Sequence, residues 1–167
     1  HSASHVGWLI IARPLTFSIT APLASFFTMR AGERKSGVIG ACAVIASMLI
    51  LSSLASGSSD LLVVLGLGLS GIGFGIAAPA LTALVANAVD DETIGVAGAM
   101  QQLLSQMGAV LGSTVMISVH EMTVGSTTVV RSYGIALLFG AGTATAAALL
   151  ATRLTPTDRS AEALAKA

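Results

Sequence analysis

The chain has 167 residues, of which 54% are hydrophobic and only 10% are charged. Soluble domains usually carry about 25% charged residues, so this composition argues against a soluble helical bundle. The formal net charge is zero, which gives no reason to expect a nucleic-acid partner. One cysteine cannot form an internal disulfide or a metal cage, and the sequence contains no catalytic constellation. We therefore expect neither an enzyme nor a cofactor or metal site.

The charged residues leave five long neutral intervals, at 14–29, 36–59, 61–89, 93–120 and 132–152. A helix needs ~20 apolar residues to cross a bilayer, and the first interval reaches that length with the neutral residues before Arg13. The sequence predicts an all-α, polytopic membrane protein. Its five transmembrane helices are expected at about 6–29, 37–56, 61–87, 93–119 and 133–153, forming a bundle over 1–153 that is followed by a cytoplasmic tail, 154–167.

Arg13 is unusual because it lies inside the first predicted helix, directly before Pro14. A charge exposed to lipid at that depth costs ~2.5–3.5 kcal/mol on insertion scales. One interpretation is that Arg13 faces a cavity, bonds to Gln106 or to nearby carbonyls, and meets an anionic group of a substrate or of another part of the protein. The alternative is that its side chain extends to the outer headgroups.

The loop after the first helix, "MRAGERKSG", carries Arg30, Arg34 and Lys35. Cytoplasmic loops are enriched in Lys and Arg, and alternating the helices puts this loop on the same side as the basic tail. The sequence therefore predicts a multi-pass protein of the cell membrane with its amino end outside and its carboxyl end in the cytoplasm.

The third and fourth predicted helices are rich in glycine. "GLGLSG", residues 66–71, matches the dinucleotide fingerprint by letter, but no βαβ unit surrounds it. The better interpretation is close helix packing at Gly71 and Gly75, four residues apart and followed by Pro79. The fourth helix repeats this spacing at Gly108 and Gly112.

Gln102 and Gln106 share one face of the fourth helix, one turn apart. They are candidates either for bonds between helices or for substrate contact. Polar or broken helices are unfavourable against lipid. We therefore expect the first, third and fourth helices to line a cavity, with Arg13, Gln102 and Gln106 as candidate substrate residues, and the second and fifth helices to face lipid.

The basic loop resembles the cytoplasmic signature of the major facilitator superfamily, G-x-x-x-D-R-x-G-R-R/K. Arg30, Gly32 and Arg34 fit that signature, whereas Met29 replaces its Asp and Glu33 replaces its first Arg after the Gly. In this resemblance the loop would act as a cytoplasmic latch, whose cations meet carboxylates or helix C-termini.

Residues 71–116 are similar to the late helices of the fourteen-helix, proton-coupled multidrug exporters of that superfamily. Shared features are a glycine-rich helix with a proline, an acidic loop, a G-x-A-G start and a G-x-x-x-G. In this sequence they correspond to Pro79, Asp90 with Asp91, Gly95 to Gly98, and Gly108 with Gly112.

This resemblance implies an incomplete carboxyl-terminal half of a major facilitator fold. The missing amino-terminal part would contain the proton-coupling residue. The partners would be the lipid bilayer, that missing part, a small amphipathic substrate and protons. An importer or symporter of the same fold, or a non-transporting helical membrane subunit, remains an alternative.

The predicted orientation can be tested by thiol labelling. With Cys42 replaced by Ala, a single cysteine at Val124 should react with an impermeant thiol reagent added to intact cells. A single cysteine at Gly37 should react only after the cells are opened, because that site follows the cytoplasmic basic loop. The reverse pattern would contradict the orientation.

Overall fold

The computed structural model describes residues 3–54, 59–125 and 128–153. In this part of the chain all regular structure is helical, and five helices are long and apolar enough to cross a membrane. The prediction of an all-α protein with five such helices is confirmed. The helices are α1 (Ala3–Ala31), α2 (Glu33–Ser52), α3 (Asp60–Asn87), α4 (Ile94–Val124) and α5 (Val129–Arg153).

The helix ends differ from the predicted ones where polar residues continue a helix. α2 begins at Glu33 rather than at 37, α4 runs to Val124 rather than 119, and α5 begins at Val129 rather than 133. A helix can extend past the apolar layer, since its backbone bonds are internal, so hydropathy locates the membrane-crossing part better than the ends. The predicted cytoplasmic tail, 154–167, lies outside the described residues.

Neighbouring helices along the chain run antiparallel, and contacts between them fix this arrangement. Asn87, at the end of α3, bonds to Glu33, at the start of α2. His120, near the end of α4, bonds to Ser132, near the start of α5. We call the end of the bundle that carries His120 the histidine end, and the opposite end the Glu33 end.

α3 is the central helix and packs against both α1 and α2. On the α1 side, a Cβ added to Gly71 would collide with the Arg13 carbonyl oxygen, and one added to Gly75 would lie 2.9 Å from Thr20 Cβ. Neither position has room for a side chain. Gly71 and Gly75 therefore allow the backbones of α1 and α3 to approach closely.

The α2 side of α3 uses a second set of glycines. A Cβ added to Gly73 would lie 2.8 Å from the Gly40 carbonyl oxygen, and one added to Gly40 would lie 2.7 Å from the Gly73 carbonyl oxygen. The two glycines thus face each other across the helix pair. α3 therefore has glycines on both of its packed sides. This explains why its sequence contains more glycines than a single G-x-x-x-G face requires.

Hydroxyl groups also join α3 to its neighbours. Ser47 of α2 is 1% exposed and donates a hydrogen bond of 2.8 Å to the Gly66 carbonyl. The Thr16 hydroxyl of α1 lies within bonding distance of the Ala12 and Arg13 carbonyls of its own helix and also of the Gly68 carbonyl of α3, at 3.0 Å. Small polar side chains of this kind contribute hydrogen bonds between membrane helices without separating their backbones.

The packing of two helices differs from the expected one among the described residues. α2, which was expected to face lipid, also packs against α3 and α5. α4 was expected to use Gly108 and Gly112 for close packing, but an added Cβ at either position meets nothing within 4 Å. α4 has no buried residue, so hydropathy and glycine spacing did not identify which helices are neighbours.

Replacing Gly71 by Ala should destabilise the bundle, because the new methyl group would collide with the backbone of α1. Overpacking of this kind costs ~1–3 kcal/mol. The free energy of unfolding in detergent, followed by circular dichroism, measures the effect. Gly108→Ala is the matched control. It should be neutral or favourable by up to ~1 kcal/mol, since alanine has the higher helix propensity. Equal effects of the two variants would contradict the packing described here.

Candidate functional site

Arg13 projects from α1 towards α3, where its guanidinium carbon lies 5.3 Å from the centroid of the Phe74 ring. At this distance the cation is attracted by the negative face of the ring. Close packing of α1 on α3 at Gly71 makes the contact possible, because it brings the Arg13 backbone alongside the helix that carries Phe74. Both side chains remain exposed, so a ligand could reach them.

The Arg13–Phe74 pair lies near the middle of the bundle. Phe74 is fourteen residues from Asp60 and thirteen from Asn87, the two ends of α3. At 1.5 Å per residue it is therefore ~20 Å from either end. The guanidinium is held at this depth by the ring instead of being extended to the histidine end. This geometry disfavours the headgroup interpretation of Arg13.

No carboxylate pairs with Arg13 in the described part of the chain. The acidic residues there lie at helix ends or in the turn before α4: Glu33, Asp60, Asp90, Asp91, Glu92 and Glu121. An arginine side chain has five donors and cannot lose its charge in a protein. The described residues therefore leave a positive charge near mid-depth that is compensated only by an aromatic ring.

The predicted hydrogen bond between Arg13 and Gln106 is not formed among the described residues. Arg13 packs on α3, whereas α4 packs on α5 and on α3. Gln102 and Gln106 are both exposed. The glutamine that does link helices is Gln101, whose amide donates to Thr82 Oγ1 of α3 at 3.4 Å.

The connection between α1 and α2 consists of Gly32, which has φ of 89°. Residues other than glycine rarely adopt this backbone conformation. The turn between α1 and α2 therefore explains why the loop motif has a glycine at this position. Arg30 lies in the last turn of α1, and the Arg34 side chain is exposed. The described contact from this loop to another helix is made by Glu33, which accepts a hydrogen bond from Asn87. Glu33, which departs from the motif, therefore makes the described link between α2 and α3 at this end.

Two histidines connect helices at the histidine end. His5 of α1 lies 2.8 Å from the Asp60 carboxylate of α3. His120 of α4 bonds through Nδ1 to Ser132 Oγ of α5 at 2.7 Å, and its ring stacks on Tyr133 with centroids 3.8 Å apart. His120 thus links α4 to α5.

Sequence reasoning missed Phe74, Thr82 and Asn87 as contact residues. The spacing of Phe74 from Gly71, three residues along α3, could have indicated that they share a helix side. Nothing in the sequence pairs α1 with α3 rather than with α4, and this pairing decides the partner of Arg13.

Comparison with protein-family models gives a match to the Major Facilitator Superfamily over residues 1–167. Comparisons with curated proteins and with solved structures gave no match.

The contact between Arg13 and Phe74 predicts an energetic coupling between them. A double-mutant cycle with Arg13→Gln and Phe74→Leu, measured by unfolding in detergent, should give a coupling of about 0.5–2 kcal/mol. Phe139 of α5 is similarly exposed and serves as the control: the cycle of Arg13→Gln with Phe139→Leu should give a value near zero. A coupling to Phe74 no larger than the coupling to Phe139 would contradict the contact.

Proposed function

The chain belongs to the major facilitator superfamily of membrane transporters, and we propose that it is part of a proton-coupled secondary transporter that exports small amphipathic compounds by alternating access. Transporters of this fold bind substrate near the bilayer midplane, between two halves that rock against each other. Each half has six helices. We propose that the five helices of this chain function with a further amino-terminal part, which supplies the remaining helices and the proton-coupling residue.

The observation that carries the proposal is the Arg13–Phe74 pair. It combines a cation near mid-depth, an aromatic surface and two side chains that the described helices leave exposed. Such a pair can bind a planar or apolar part of a compound on Phe74 and a polar or anionic part on the guanidinium. The absence of a carboxylate partner among the described residues supports a role for Arg13 in binding, because a structural arginine at this depth is usually paired.

Gln102 and Gln106 are proposed as further polar residues of the same cavity. Their exposure on α4 and their position on a helix without buried residues support this role, since amide groups are unfavourable against lipid. In the proposed orientation the histidine end faces the outside of the cell membrane, and the Glu33 end faces the cytoplasm. The Glu33–Asn87 bond would then hold α2 and α3 together at the cytoplasmic surface.

The proposal predicts that transport requires the arginine side chain at position 13 and that a lysine there cannot substitute for it. The transporter, with its amino-terminal part present, is reconstituted in liposomes with an outward-directed substrate gradient or an imposed pH gradient. Efflux of two fluorescent amphipathic probes, anionic fluorescein and cationic ethidium, is measured. Arg13→Gln should lower efflux of a transported probe about tenfold or more, a loss of ~1.4 kcal/mol. Arg13→Lys should also lower it, because an ammonium lacks the planar fork that stacks on Phe74.

The amount of folded protein in each preparation is measured in parallel. If Arg13→Lys transports like the unmodified protein while Arg13→Gln only lowers the amount of protein, the binding role of Arg13 is wrong. If neither probe moves in response to a pH gradient in any preparation, proton-coupled export of amphipathic compounds is contradicted.

A further inference from the structure

A groove of about 440 Å³ lies at the histidine end, between the end of α2 and the start of α5. It is separate from the Arg13–Phe74 pair and involves other helices. Clefts of about 300–1,000 Å³ accommodate small molecules. The groove is lined by polar and apolar side chains, among them Ser52, Leu54, Thr128, Arg131, Ile135 and Leu138.

Three of the five α5 residues that line the groove form a single stripe. Arg131, Ile135 and Leu138 are separated by four and three residues, so they lie on one side of the helix. The stripe runs from a charged residue near the helix start to apolar residues one and two turns later. Leu138 is ~10 Å deeper along α5 than Arg131. The groove therefore changes from charged to apolar in the direction that leads into the membrane.

Arg131 is exposed and has no ion pair among the residues that the structure describes. Two carboxylates lie at the same end of the bundle: Asp60 is against His5, and Glu121 of α4 is exposed and forms no ion pair with a described residue. A guanidinium with free donors matches the geometry of a phosphate, which it can bind through two parallel bonds. Thr128, three residues earlier, is exposed and lines the same groove, and its hydroxyl group offers a further donor.

The inner wall of the groove is closed by the contact between α2 and α5. A Cβ added to Gly134 would lie 2.9 Å from the Ser52 carbonyl oxygen, so the two backbones nearly touch there. The groove is therefore closed on the side where α2 meets α5. This shape suits a molecule with one polar end and one extended apolar part.

We propose that the groove binds a phospholipid, with its phosphate on Arg131 and Thr128 and an acyl chain along Ile135 and Leu138. The order of charge and apolar surface matches the order of headgroup and chain in a bilayer leaflet. The proposal requires only that the chain spans a membrane, so it holds whichever compound is transported and whichever end of the bundle faces the outside.

The test uses the purified 167-residue chain, stripped of lipid in detergent, with lipid binding measured by native mass spectrometry. Phosphatidylglycerol should bind, and Arg131→Gln should weaken its binding about fivefold, in line with ~1 kcal/mol for one arginine near an anionic surface. Arg34→Gln, which removes an exposed cation at the opposite end, should leave binding unchanged. Circular dichroism confirms that both variants are folded.

Two further ligands separate the phosphate from the chain. Diacylglycerol has the chains without the phosphate, and it should bind the unmodified protein no better than it binds Arg131→Gln. Inorganic phosphate in excess should not displace phosphatidylglycerol, because the chain contributes to binding. Equal phosphatidylglycerol binding by Arg131→Gln and the unmodified protein would overturn the proposal, as would displacement by inorganic phosphate alone.

Discussion

The bundle depends on the closeness of three helix backbones. α1 and α2 approach α3 at positions where any side chain larger than hydrogen would collide, with Gly71 and Gly75 on one side and Gly73 opposite Gly40 on the other. Apolar side chains alone cannot drive this association in a membrane, because lipid solvates them equally well. Close backbone contact supplies van der Waals attraction, and it brings carbonyl groups within reach of the hydroxyl groups of Thr16 and Ser47.

The same closeness determines the candidate site. α1 and α3 run parallel, and their contact at Gly71 brings Arg13 level with the middle of α3. At this depth the guanidinium lies over the Phe74 ring, and no carboxylate of the described residues pairs with it. The packing interface and the proposed binding residues thus lie on the same two helices, α1 and α3. A change in the packing of these helices would therefore move the binding residues.

The sequence was sufficient to predict the number of long apolar helices in the described residues and their approximate extent, because long intervals without charge are explained by helices that cross a membrane. It also identified Arg13 as exceptional, since a charge in an apolar helix is unfavourable wherever it points. It did not predict that Phe74 would be the partner of Arg13, or that Gly108 and Gly112 would be unpacked. Hydropathy indicates whether a helix lies in lipid or in water. The contact partners of a residue depend instead on which helices are neighbours, and that is a property of the whole bundle.

The uneven distribution of contacts has a mechanical consequence. α1 and α2 each pack along α3, and each is tied to it at one end, α1 through His5–Asp60 and α2 through Glu33–Asn87. α4 is held to α3 by the Gln101–Thr82 bond and to α5 by His120. Regions with few packed contacts open at the lowest free energy. Within the described part of the chain, displacement of α4 therefore breaks fewer packed contacts than displacement of any of the first three helices.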